Sequence, residues 1–71
     1  MANLNDLENR FTYHAPKEGQ PELYGILRRS GLELAVMISN GVPESREQSL
    51  AITKLEEAIF WANAGIARHG K

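Results

Sequence analysis

The sequence predicts an all-α fold: an antiparallel two-helix hairpin, preceded by a short helix or extended segment and assembled as a homo-oligomer. Three observations lead there. Two long stretches, 21–40 and 43–70, carry apolar residues at helical spacing, with a glycine-containing stop between them. No stretch has the alternation of a strand worth naming, and there is no internal repeat. The chain has 71 residues, no cysteine and no obvious metal site, so its core is marginal and oligomerisation is the remaining common source of burial. A single domain over 1–71 is expected.

The first twenty residues read as mostly irregular. Leu4, Leu7 and Phe11 share one helical face, which predicts a short helix near 5–10. Phe11-Thr12-Tyr13-His14-Ala15-Pro16 follows as an extended aromatic stretch closed by a proline, and Lys17-Glu18-Gly19-Gln20-Pro21 as a turn. This 1–20 region is the expected ligand or interface segment.

Pro21 suits the first position of a helix, where its missing N–H leaves no bond unmade. Leu23, Leu27, Leu34 and Ile38 then form one apolar stripe, flanked by Tyr24, Ala35 and Met37. Gly31 interrupts it at a cost of about 1 kcal/mol relative to alanine. That glycine either weakens the helix or admits another backbone. Ser39-Asn40-Gly41 is a stop, in which Gly41 can take the left-handed cap conformation.

The second helix starts near Pro43, and Ser45-Arg46-Glu47-Gln48 has the form of a capping box. Ile52, Leu55, Ile59, Ala62 and Ile66 step along a heptad-like seam, with Ala51, Ala58 and Gly65 beside it as small residues that admit a close neighbour. Residues 58–62 are apolar all the way round, and a hairpin covers only one face. Phe60 and Trp61 therefore point away from the seam. Either the N-terminal segment folds over them or a second subunit does, aromatics being enriched at interfaces.

Composition bounds the chemistry. Eight Lys and Arg against nine Asp and Glu give a net charge of -1, which argues against a DNA or RNA polymer as partner and against a polybasic membrane anchor. No apolar run approaches the ~20 residues of a membrane helix. The N-terminus lacks the basic start and apolar run of a signal peptide, so the expected location is the cytosol. Without cysteine, thiolate zinc sites and cysteine nucleophiles are excluded. His14 and His69 lie in different segments, and no metal or cofactor is expected. Glu56 and Glu57 are adjacent, so on a helix they diverge by about 100° and cannot face one substrate as a pair. No Ser-His-Asp arrangement, phosphate-binding loop or nucleophile elbow is present, and catalysis is not expected.

Binding is the better class. Arg10 adjoins Phe11-Thr12-Tyr13-His14, and rings on an extended segment stack on bases at roughly 1–3 kcal/mol each. Arg28 and Arg29 stand in mid-helix, where a guanidinium can meet a phosphate with two bonds. The alternative remains open at this level: Phe11 and Tyr13 as core lids, and the two arginines as solvated charges paired with Glu18, Glu22 or Glu33.

The string SREQSLAITKLEEAIFWANAGIAR, Ser45 to Arg68, together with Arg10-Phe11-Thr12-Tyr13-His14 upstream, resembles the hairpin domain of phage anti-CBASS cyclic-oligonucleotide sponges, which the anti-Thoeris sponges share. The resemblance spans about residues 10–68. It implies a protein that binds cyclic dinucleotides (cGAMP-like) and cyclic trinucleotides without degrading them, in the cytoplasm of the infected bacterial host, so that the CBASS effector stays inactive. It implies a homohexamer with dinucleotide pockets between protomers and trinucleotide sites near the threefold axes. Under it, Tyr13 stacks on a base within the match that includes Thr12 and His14. Arg28, with Arg29 one residue away in an uncertain register, meets a phosphate, and Arg68 faces the trinucleotide. An arginine replaces a lysine of some relatives at the phosphate contact, which keeps the charge and changes the geometry. Two other functions stay in view: capture of a cyclic ADP-ribose-type signal, and a helical module that binds a host protein through Phe60 and Trp61.

Overall fold

The computed structural model describes residues 3–70, so the outermost positions of the expected 1–71 domain lie outside it. Three helices follow one another: α1 (Leu4–Phe11), α2 (Gln20–Gly41) and α3 (Arg46–His69). The described residues contain no strand.

Helix α1 begins where the Asn3 side chain accepts the Asp6 N–H at 2.8 Å. An Asp6–Arg10 ion pair at 3.1 Å supports its exposed face. Phe11 is its last residue, so the extended stretch starts at Thr12 rather than at Phe11. Gly19, at φ 83, closes the turn into α2 in a conformation only glycine adopts at little cost. Helix α2 starts at Gln20, one residue earlier than expected, and Pro21 lies within its first two positions.

Helices α2 and α3 pack as an antiparallel hairpin. On α3 the seam is the expected one, with Ile52, Leu55, Ile59, Ala62 and Ile66 all half-buried. On α2 the packed side differs from the expected stripe. Leu27 and Ile38 belong to it, but Leu23 and Leu34 are exposed, while Tyr24, Gly31 and Ala35 are half-buried. The reason is at Gly31. A Cβ there would lie 3.0 Å from Ile59 Cγ1 and 3.1 Å from its Cδ1. The glycine lets the isoleucine seat against the α2 backbone, and the contact line centres on it. What comes close to Gly31 is thus the Ile59 side chain and not another backbone. Ala51, Ala58 and Gly65 lie exposed.

The hairpin end also differs from the sequence expectation. Gly41 is helical and not left-handed; Val42 caps α2, its N–H donating to Ile38 O at 2.9 Å. A left-handed cap is unnecessary because Gln48 reaches back from α3. Its Nε2 donates to Ser39 O at 3.1 Å and Val42 O at 2.9 Å, satisfying carbonyls a helix end leaves open. Ser45 accepts the Gln48 N–H at 3.1 Å, so α3 starts at Arg46 behind its serine cap and not at Pro43.

The molecule measures 45 × 30 × 14 Å, and its 14 Å depth is about one helix. No apolar residue among those described is fully buried. Its radius of gyration of 15.3 Å exceeds the ~11 Å of a compact chain this long. Its accessible surface of 5847 Å² exceeds, by about 1400 Å², the ~4400 Å² of a compact monomer of this mass.

Candidate functional site

The aromatic segment leaves α1 at Thr12 and meets α2 at Gln20. Local bonds shape it. The Thr12 hydroxyl donates to Glu8 O. His14 is half-buried and donates its Nε2–H to Asn9 O at 2.7 Å, which sets the proton on that nitrogen. Both side chains thus spend their bonding on the end of α1. Tyr13, between them, is 83 % exposed and forms no core lid. A ring presented this way has both faces open for stacking.

The downstream end of the segment is tied to the last turn of α3. Gln20 Oε1 accepts the Lys17 N–H at 2.9 Å, and Gln20 Nε2 donates to Ile66 O at 3.3 Å. Lys17 Nζ donates to Gly70 O at 2.9 Å. This tie brings the Tyr13 segment to the end of α3 that carries Arg68.

Arg68 is half-buried and lines a cleft of about 290 Å³ with Arg10, Phe11 and Trp61. Two guanidiniums and two aromatic rings face one space there, a set suited to an anion bearing flat groups. Arg10 stood outside the residues expected to contact ligand, although it adjoins Phe11 and Tyr13, the rings expected to stack on bases. No spacing rule joins Arg10 and Phe11 to Trp61, fifty residues on. The N-terminal segment borders Trp61 on this side but does not cover it, leaving Trp61 67 % and Phe60 62 % exposed.

Arg28 sits elsewhere. It borders an apolar groove of about 290 Å³ between α2 and α3, with Gly31, Leu32, Ala35, Leu55, Glu56, Ile59 and Phe60 among its walls. Arg29 points off this groove, about 100° round the helix. The ion pairs among the described residues are Arg10–Asp6 and Lys54–Glu57. Arg28 and Arg29 are therefore not neutralised by Glu18, Glu22 or Glu33. Within one chain, Tyr13 and Arg68 lie toward one end of the hairpin and Arg28 lies along its side. The structure does not bring Arg28 to Tyr13 through any bond or shared cleft.

Among the described residues no three His, Asp or Glu side chains gather where a metal could be held. No helix is long and apolar enough to cross a membrane.

A family model described as Acb2/Tad1, hairpin domain, matches residues 3–67, nearly the whole chain. No curated protein and no solved structure matches.

Proposed function

The chain belongs to the Acb2/Tad1 hairpin family, phage sponge proteins directed against CBASS and Thoeris signalling, and from that premise we propose that it captures cyclic dinucleotides and cyclic trinucleotides and holds them intact. Its family role is to sponge cyclic-nucleotide signals. The finer reading is that capture keeps a CBASS effector inactive in the infected cell.

The observation that carries this reading is the pairing of an open ring with cations that no acidic side chain among the described residues neutralises: Tyr13 is 83 % exposed, and neither Arg28 nor Arg68 forms an ion pair among those residues. A cyclic dinucleotide offers two flat bases and two phosphates. Tyr13 stacks on a base, with Thr12 and His14 holding the segment that bears it. Arg28 contacts a phosphate in preference to Arg29, since Arg28 is the one beside the groove. Arg68, with Arg10 beside it, receives the larger ring.

The site is completed by other copies of the chain. Tyr13 and Arg28 share no cleft within one protomer, and a pocket between protomers supplies one from each. The surplus surface supports assembly: about 1400 Å² by the size scaling is more than the ~800 Å² each partner buries in a standard interface. The apolar groove and the Phe60–Trp61 face are the surfaces such copies cover. We propose a hexamer.

Calorimetric titration with a cyclic dinucleotide, a cyclic trinucleotide and a cyclic ADP-ribose-type compound tests the ligand class. The expected result is tight binding of the first two. Release by heat then tests the non-enzymatic reading: ligand recovered intact supports a sponge, and fragments overturn it. Binding confined to the cyclic ADP-ribose-type compound would move the chain to the Thoeris side of its family.

A further inference from the structure

Gln20 is the one buried residue among those described, at 5 % exposure. No apolar side chain among the described residues is buried, so a polar amide occupies the driest position there. Its two ends face complementary groups. The Lys17 N–H can only donate, so the oxygen of the amide lies there; Ile66 O can only accept, so the nitrogen lies there. Ile66 O also accepts the Gly70 N–H at 2.7 Å, so both its lone pairs are used.

The bond spans 46 residues of sequence and joins two elements that carry proposed ligand contacts. On one side is the non-helical segment with Tyr13, fixed upstream by His14 on Asn9 O and downstream by Lys17 on Gln20. On the other is the last turn of α3, where Arg68 stands two residues beyond Ile66. Gln48 is the matching residue at the opposite end of the hairpin. It too closes α2 on α3 through Nε2, but it touches only the Ser39–Val42 turn and holds no proposed contact.

We infer that Gln20 is a positioning residue for ligand capture, setting the Tyr13 segment against the Arg68 turn of α3. The inference rests on the capture function proposed above. Gln20 touches no ligand itself. It removes the freedom of the segment before binding, and that ordering would otherwise subtract from affinity.

Gln20→Met keeps the length and approximate volume of the side chain and removes both hydrogen bonds. Gln48→Met does the same at the far end and serves as the matched structural control. Each full-length variant is titrated with a cyclic dinucleotide and a cyclic trinucleotide, and amide hydrogen exchange is followed at Lys17, whose N–H the Gln20 side chain accepts. The expected result is about tenfold weaker capture in Gln20→Met, one neutral hydrogen bond's worth of affinity, with faster exchange at the Lys17 amide. Gln48→Met is expected to keep affinity within about twofold, whatever thermal stability it loses. Adding Tyr13→Ala to Gln20→Met should cost less than Tyr13→Ala costs alone, since a loosened ring has less to lose. Equal weakening by the two glutamine variants, or unchanged exchange at the Lys17 amide in Gln20→Met, overturns the inference. Failure of the unmodified protein to bind either ligand is a separate result that removes the capture function and the inference with it.

Discussion

The hairpin and the N-terminal segment are built on different principles. Helices α2 and α3 hold each other through a periodic seam, a glycine contact and Gln48 at the turn. Helix α1 and the stretch after it make mostly local bonds: Asn3 to Asp6, Asp6 to Arg10, Thr12 to Glu8, His14 to Asn9. Their tie to the rest runs through Lys17 and Gln20. The hairpin is thus the scaffold, and the segment is an appended arm that carries an open ring. Residues chosen for packing sit in one region and the exposed aromatic of the proposed site in the other. Substitutions should therefore separate stability from capture.

The sharpest break is at the seam. Gly31→Leu places a branched side chain where Ile59 lies 3.0 Å from a bare Cβ position. Overpacking should cost about 1–3 kcal/mol and lower the thermal midpoint by roughly 5–15 °C in a melt followed by circular dichroism.

The opposite result is expected in the arm. Tyr13→Ala should weaken dinucleotide binding by about 1–3 kcal/mol in calorimetry, the value of one stacked base, while the midpoint stays put because the ring is 83 % exposed. Arg28→Ala belongs with it. Its loss of a charge-assisted phosphate contact, about 1.5–3 kcal/mol, should exceed that of Arg29→Ala, and equal losses would void the preference for the groove-lining arginine.

Smaller effects refine the contrast. Ser45→Ala removes the cap of α3 and should cost about 1 kcal/mol of stability in chemical denaturation with binding unchanged. Asp6→Ala deletes an exposed pair at 3.1 Å and should cost only about 0.3–0.5 kcal/mol.

The same contrast explains what the sequence made legible. The α3 seam was readable residue by residue because a helix repeats its packed face at fixed steps, and the Ser45 cap because its partner is three residues away. The α2 stripe was misread at Leu23 and Leu34, since leucines outweigh a glycine in any count of apolar residues while the glycine sets the contact line. The left-handed cap expected at Gly41 was supplanted by a side chain from the other helix. Tyr13 stood out within the extended aromatic stretch Phe11-Thr12-Tyr13-His14. The Gln20 tie, the Lys17–Gly70 bond and the cleft joining Arg10 and Phe11 to Trp61 and Arg68 carry no local signal. Each joins positions about fifty residues apart, which only the closed hairpin brings together.

The central claim is that an open, single-layer hairpin gains both its buried area and its ligand site by assembling. Native mass spectrometry of the purified protein, alone and with a mixture of cyclic di- and trinucleotides, tests it most directly. The account predicts a discrete homo-oligomer, six chains, carrying intact ligands in fixed ratio to its protomers. A monomer that gains no ligand mass would contradict it.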